Sequence, residues 1–229
     1  MQTDAKIVDF EPGTGRALAY GWGRMKANAL LLFLATVVVV AVEIPMQGNS
    51  MEFSGDPVDA IYSLMFFAYA VLFAPIINYG ADLIFLQGVR GDRVEIKRIF
   101  DGFGNYVNII LANLLVFGLF FIGLVVFIVP GIYVACRLAF TSYLVMDEDL
   151  DPVAAVEASW RMTKGHAWKI FLLALLSTLI FIGGLVLLLV GLFPAVMWSK
   201  AAFAALYLSI SQSDNTEAVD PEEEPNTEL

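Results

Sequence analysis

A single cysteine and a single histidine occur in 229 residues. One thiol, Cys136, rules out an internal disulfide and a cysteine-built metal cage. The one imidazole, His166, stands beside Gly165 and Trp168 with no acid placed near it by sequence, so neither a metal nor a proton relay is indicated. Charge is sparse as well: charged residues make up 16% against 59% hydrophobic, outside the balance of an ordinary soluble domain. No HExxH, GxSxG or GxxxxGK[ST] motif occurs. An excess of bases is missing too. The formal charge is −10, and seven of the acids lie after Gln212; the remainder holds 13 bases and 16 acids, which excludes a basic nucleic-acid-binding body.

What fills the chain instead is long apolar runs. A run of about 20 apolar residues crosses a hydrocarbon core of roughly 30 Å. The first extends from Ala27 to Pro45 and the second from Val58 to Gln87, with Pro75 predicting a kink near its middle. Tyr106 to Met146 is long enough for two spans, divided at Val129, Pro130 and Gly131; Ile170 to Ser211 divides in the same way at Gly191 to Pro194. Six spans result. The 26 mostly polar residues before the first apolar run do not resemble a cleaved signal peptide.

Cytoplasmic flanks collect lysine and arginine. Lys6, Arg16, Arg24 and Lys26 precede span one; Arg90, Arg93, Lys97 and Arg98 lie between spans two and three; Arg161, Lys164 and Lys169 lie between spans four and five. The opposite connections, Met46 to Pro57 and the turns at Pro130 and Pro194, have no bases. Both termini are therefore expected in the cytoplasm of a multi-pass protein.

Three segments that mix bases, aromatics and glycine precede the odd spans: RALAYGWGRMKAN, IKRIFDGFGNYVN and AVEASWRMTKGHAWK. The second and third pairs of spans also match at Phe121 to Gly123 and Phe181 to Gly183, and at Pro130 and Pro194. The expected fold is all-α: six transmembrane helices as three parallel hairpin repeats, each preceded by a cytoplasmic interfacial amphipathic helix. Residues 1–26 form the N-terminal segment, 27–211 the membrane domain and 212–229 an acidic, unfolded tail. In the third interfacial helix Asp151 suits the N-cap, Pro152 the first helical position and Gly165 a left-handed end. Val153, Val156, Trp160 and Thr163 make its apolar stripe, with Trp160 toward lipid and Arg161 and Lys164 toward headgroups.

The stretch VPGIYVACRLAFTSYLVMDEDLDPVAAVEASWRMTKGHAWKIF, with the opening ALAYGWGRMKAN, resembles the YciC-like family of six-span bacterial proteins and the membrane domains attached to some glycerophosphoryl diester phosphodiesterases. The resemblance implies a bacterial inner-membrane location and a part in envelope maintenance. The soluble parts of this chain are too short to hold a phosphodiesterase domain, so that activity is not implied.

Charge inside the bilayer is the main candidate for a site. Counting from the outer turns at about 1.5 Å per residue, Arg137 lies about 10 Å and Lys200 about 9 Å deep. A central base costs at least about 2.5–3.5 kcal/mol on insertion scales, so each needs a partner or water. Glu43 is the acid at comparable depth. These three residues are the candidate site, either as an outward-facing pocket for an anionic group such as a lipid headgroup, or as a structural lock in which Arg137 pairs with Glu43 and Lys200 snorkels. A second polar set, Asn78, Asp82, Asn108 and Asn113, lies toward the cytoplasmic half and suits interhelical hydrogen bonds. Cys136 is a packing thiol. Asp147, Glu148, Asp149 and Asp151 lack the glycine and closing glutamate of an EF-hand. No metal, cofactor or catalytic residue is expected. The function expected is non-enzymatic: envelope organisation through contacts with membrane lipids or other membrane proteins. The alternative is a transporter or lipid-translocating component using Arg137 and Lys200.

Overall fold

The structure is a computed structural model and describes residues 11–47, 57–186 and 191–219. Lys6, most of the Met46 to Pro57 connection and the acidic end from Asp220 lie outside the described residues. Among those described there is no strand. The helices are α1 (Thr14–Ala27), α2 (Ala29–Gln47), α3 (Pro57–Leu72), α4 (Ala74–Arg90), α5 (Tyr106–Val126), α6 (Ile128–Arg137), α7 (Thr141–Asp147), α8 (Pro152–Met162), α9 (Ala167–Val186) and α10 (Leu192–Val219), with a 3-10 segment at Ile96–Phe103.

Five stretches are long and apolar enough to cross a membrane: Val58–Arg90, Tyr106–Val125, Ile128–Asp147, Ala167–Val186 and Leu192–Asp214. A sixth is reached if α1 and α2 are taken together across a bend of 101°. The break falls at Asn28, whose backbone N–H bonds the Arg24 carbonyl. Large apolar side chains stand exposed along α3 (Ile61, Leu64, Met65), α5 (Phe117, Ile122) and α9 (Leu179, Ile182). Water would not tolerate such patches, and hydrocarbon does.

The breaks fall close to the predicted ones, with a shift that has a cause. α5 ends at Phe127, in extended backbone, three residues before Pro130, and Pro130 sits in the first turn of α6; Pro194 likewise sits in the first turn of α10. A proline costs little where the backbone N–H has no helical partner, so it starts the returning helix rather than ending the outgoing one. In the second stretch α3 gives way to α4 at Phe73, and Pro75 again occupies the opening turn. Two glycines in the spans mark close helix approaches: a Cβ on Gly123 would lie 3.0 Å from Gly131 Cα, and one on Gly184 2.6 Å from the Gly191 carbonyl. Gly118 and Gly183 face open space.

The buried core lies where α2, α4 and α10 meet. It holds Leu32, Ala35 and Val39 from α2, Ile76, Ile84 and Phe85 from α4, and Ala201, Ala205 and Tyr207 from α10. α10 continues to Val219, so the first eight residues of the segment expected to be an unfolded tail are helical. There is no proline or glycine between Ala195 and Val219 to stop it.

Candidate functional site

The two intramembrane bases are held separately. Lys200 Nζ lies 2.7 Å from Asp82 Oδ1, with both side chains mostly buried. Lys200 is therefore paired with Asp82, where it was expected to snorkel. Asp82 is eight residues inside the Arg90 end of α4, and Lys200 eight residues inside the Leu192 end of α10. Each is thus about 12 Å from its own boundary, which leaves only about 6 Å of a 30 Å core between them. A lysine stem with its terminal ammonium closes that gap. A search for acids in the outer half alone could not find this pair.

Arg137 is the last residue of α6, and the helix breaks over Leu138 to Phe140 before α7. It is 4% exposed. A guanidinium at a helix C-terminus is favoured by the exposed carbonyls. Its Nη2 donates to the Trp160 carbonyl on α8. Its Cζ lies 4.7 Å from the Trp160 ring centroid and 5.8 Å from that of Tyr133. The break frees the Arg137 carbonyl, which accepts from Ser159 Oγ and Thr163 Oγ1, both at 3.0 Å. Arg137 thus grips α8 from both ends of the residue. Nε, also buried, has no partner. No ion pair of Arg137 occurs among the described residues, so the expected Arg137–Glu43 lock is not formed.

Glu43 lines a cavity of about 420 Å³ with Pro75, Asn78, Tyr79 and Asn113. Of the second polar set, Asn78 and Asn113 share that cavity, the amide bonds of Asn78 to Ala74 O at 3.2 Å and of Asn108 to Asn105 Oδ1 at 2.8 Å are local rather than interhelical, and Asp82 serves Lys200. The structure therefore does not gather Arg137, Lys200 and Glu43 into one pocket.

The largest cavity described, about 890 Å³, lies elsewhere. It is formed by the end of α4, the connection to the 3-10 segment, and the end of α7. Its walls carry Arg90, Arg93 and Arg98 together with Asp92, Glu95, Asp101, Asp147 and Asp149. Arg90 makes a two-pronged pair with Asp147, at 2.8 and 2.6 Å. The Tyr207 hydroxyl reaches Glu148 at 3.3 Å, and Asn105 Nδ2 donates to Asp149 at 2.9 Å. Asp149 has a left-handed backbone, φ 52°, a conformation that short polar side chains tolerate better than most. The connector acids thus serve as ion-pair and hydrogen-bond partners, and no group of three or more metal-ligating side chains forms among the described residues.

Sequence reasoning missed a small–aromatic pair in each basic segment. Gly21, Gly102 and Ser159 are all buried. A Cβ on Gly21 would lie 2.8 Å from the Ala202 nitrogen of α10, and one on Gly102 2.8 Å from the Ile76 carbonyl of α4; Ser159 bonds the last residue of α6. The next residue in each case is an exposed aromatic: Trp22 at 39%, Phe103 at 43% and Trp160 at 41%. The signal was present as GW, GF and SW at matching places in the three segments. α8 accordingly has a buried face of Ala155, Ser159 and Met162 beside the expected stripe, of which Val153 and Trp160 are exposed and Thr163 is buried. Asp151 and Pro152 stand at the start of α8 as expected, although the Asp151 side chain makes no capping hydrogen bond, and Gly165 is left-handed at φ 79°.

No protein-family model, curated protein or solved structure matches the chain.

Proposed function

We propose that this is a non-enzymatic bacterial inner-membrane protein that organises lipid at the cytoplasmic face of the bilayer. Its body would be three hairpin repeats, each led by an amphipathic segment. The small–aromatic pairs carry this reading. In each, a small residue seats the segment against a span: α1 on α10, the 3-10 segment on α4, α8 on the break between α6 and α7. The aromatic beside it is left exposed, as suits the boundary between headgroups and acyl chains. Phe100 and Phe103 stack on one side of the 3-10 segment, in line with Lys97 at its start, while Arg98 and Asp101 take a second face and the buried Ile99 and Gly102 a third, an amphipathic division suited to the membrane plane. The family resemblance, with its part in envelope maintenance, agrees with this role.

Transport through an Arg137–Lys200 pocket has less support, since neither base lines any of the four cavities described.

The test is lipid retention. After gentle extraction, mass spectrometry should find fewer lipids on a Trp22→Ala, Phe103→Ala, Trp160→Ala variant than on the wild type, compared under conditions where both remain folded. An unchanged lipid complement would refute the reading. Orientation is checked in Cys136→Ala protein: cysteines placed at Lys97 and Lys164 should be labelled from one and the same side.

A further inference from the structure

The other charges set deep in the spans have partners: Lys200 and Asp82 have each other, and Arg137 has the Trp160 carbonyl. Glu43 has none. Its carboxylate makes no ion pair or hydrogen bond among the described residues. α2 begins at Ala29, so Glu43 lies about 21 Å along a helix that crosses a core of roughly 30 Å. A charge at that depth persists by pairing or by facing a polar cavity. Glu43 lines such a cavity, of about 420 Å³, within the size range of small-ligand sites. Two amides in its wall are also uncommitted. Asn78 uses its Nδ2 on Ala74 O, leaving Oδ1 to accept, and the Asn113 side chain makes no hydrogen bond among the described residues. Ala70, Ala74 and Pro75 set the cavity against the α3–α4 break, and irregular backbone at membrane depth is tolerated where it lines a cavity. The Tyr69 hydroxyl donates to Val42 O at 2.9 Å and pins α3 to α2 next to Glu43.

This set of groups selects among ligands. One carboxylate balances one positive charge, and no group of three metal-ligating side chains forms among the described residues, whereas a divalent ion held by protein oxygens takes several carboxylates. The polar groups are also far apart. α2 and α5 both begin beside the Arg90 end of α4, since Asn28 Nδ2 bonds the Gly88 carbonyl and Asn105 shares the cavity of Arg90. Measured from there, Glu43 lies about 21 Å and Asn113 about 10 Å along their helices. A bare ion touches donors within about 2.6 Å of itself, so it cannot serve both. A short organic cation can.

We infer that this cavity binds a small amino alcohol, with its primary ammonium on Glu43 and its hydroxyl at Asn113. The ammonium gives N–H donors to the carboxylate, the amide of Asn113 both donates to and accepts from the hydroxyl, and the intervening chain lies along Ala70, Ala74 and Pro75. The inference goes beyond the lipid-organising reading and does not depend on it.

Isothermal titration of the full-length protein in detergent tests the site. The probe is a linear aminopentanol, amine at one end and hydroxyl at the other, compared with the matching pentanediol, with pentylamine and with sodium chloride. Wild type should bind the aminopentanol at least about tenfold more tightly than the uncharged diol, the difference one charge-assisted hydrogen bond makes. Glu43→Gln should elute as a folded species and lose that difference. Asn113→Leu should weaken the aminopentanol by about fivefold and leave pentylamine, which has no hydroxyl, unchanged. Equal binding of aminopentanol and diol by wild type, a preference that survives Glu43→Gln, or an aminopentanol affinity unmoved by Asn113→Leu would overturn the inference. Displacement of the amine by an equal concentration of sodium would overturn it as well, because the site would then belong to a bare ion.

Discussion

Lys200 and Arg137 occupy corresponding places, a few residues after Pro194 and Pro130 in returning spans, yet the protein stabilises them by opposite means. Lys200, a compact charge on a flexible stem, takes a carboxylate from a neighbouring helix at 2.7 Å. Arg137, planar and forked, takes a peptide carbonyl and two aromatic faces, with no carboxylate partner among the described residues. The ammonium is strongly hydrated and needs a full countercharge when dried, whereas the guanidinium is weakly hydrated and accepts diffuse negative charge from carbonyls and ring faces. The two arrangements should therefore fail differently.

The largest effect should come from Lys200→Met, which strands Asp82 as an uncompensated buried charge. A loss of about 3–5 kcal/mol is expected, read by unfolding in mixed detergent. Adding Asp82→Leu should recover most of that loss; a double variant no more stable than the single would show that the pair is not what Lys200 provides.

Next comes the Arg137 main chain. Ser159→Ala with Thr163→Val removes both hydroxyls from its freed carbonyl and should cost about 1–3 kcal/mol, with faster proteolysis at the α7–α8 connection as an independent readout. No change in either quantity would mean the grip on α8 lies elsewhere. Arg137→Lys keeps the charge but loses the fork and the stacking, and a cost of about 1–2 kcal/mol is expected; full stability in that variant would make the site equivalent to that of Lys200 and remove the contrast. The smallest effect should be Tyr133→Leu, about 0.5–1 kcal/mol by the same unfolding assay, because its ring is the more distant of the two.

Much of the fold was legible because hydrocarbon demands so much of a sequence. Long apolar runs with glycine and proline at their ends place the spans to within a few residues, and the Asp151, Pro152 and Gly165 signals place α8. The candidate site was less legible. Leaving Lys200 to snorkel assumed that ion-pair partners share a leaflet, while Asp82 approaches from the other end of a neighbouring helix. Arg137 was expected to face outward, yet it contacts α8, the helix predicted for the cytoplasmic boundary. Depth counting along one span does not report where a helix breaks, and the break after Arg137 decides what it touches. The cavity beside Glu43 carried no motif at all. Its walls come from α2, α3, α4 and α5, an arrangement that exists only once the helices are packed.

The berth of α1 on α10 has a consequence for how the chain is made. The 3-10 segment and α8 each settle on a span already synthesised when they emerge. α1 leaves the ribosome before the other described helices, and α10, the helix that receives Gly21, follows them. The apolar small-residue face of α1 must therefore wait through most of translation, exposed or shielded by a chaperone. Closure of this joint cannot precede the synthesis of α10.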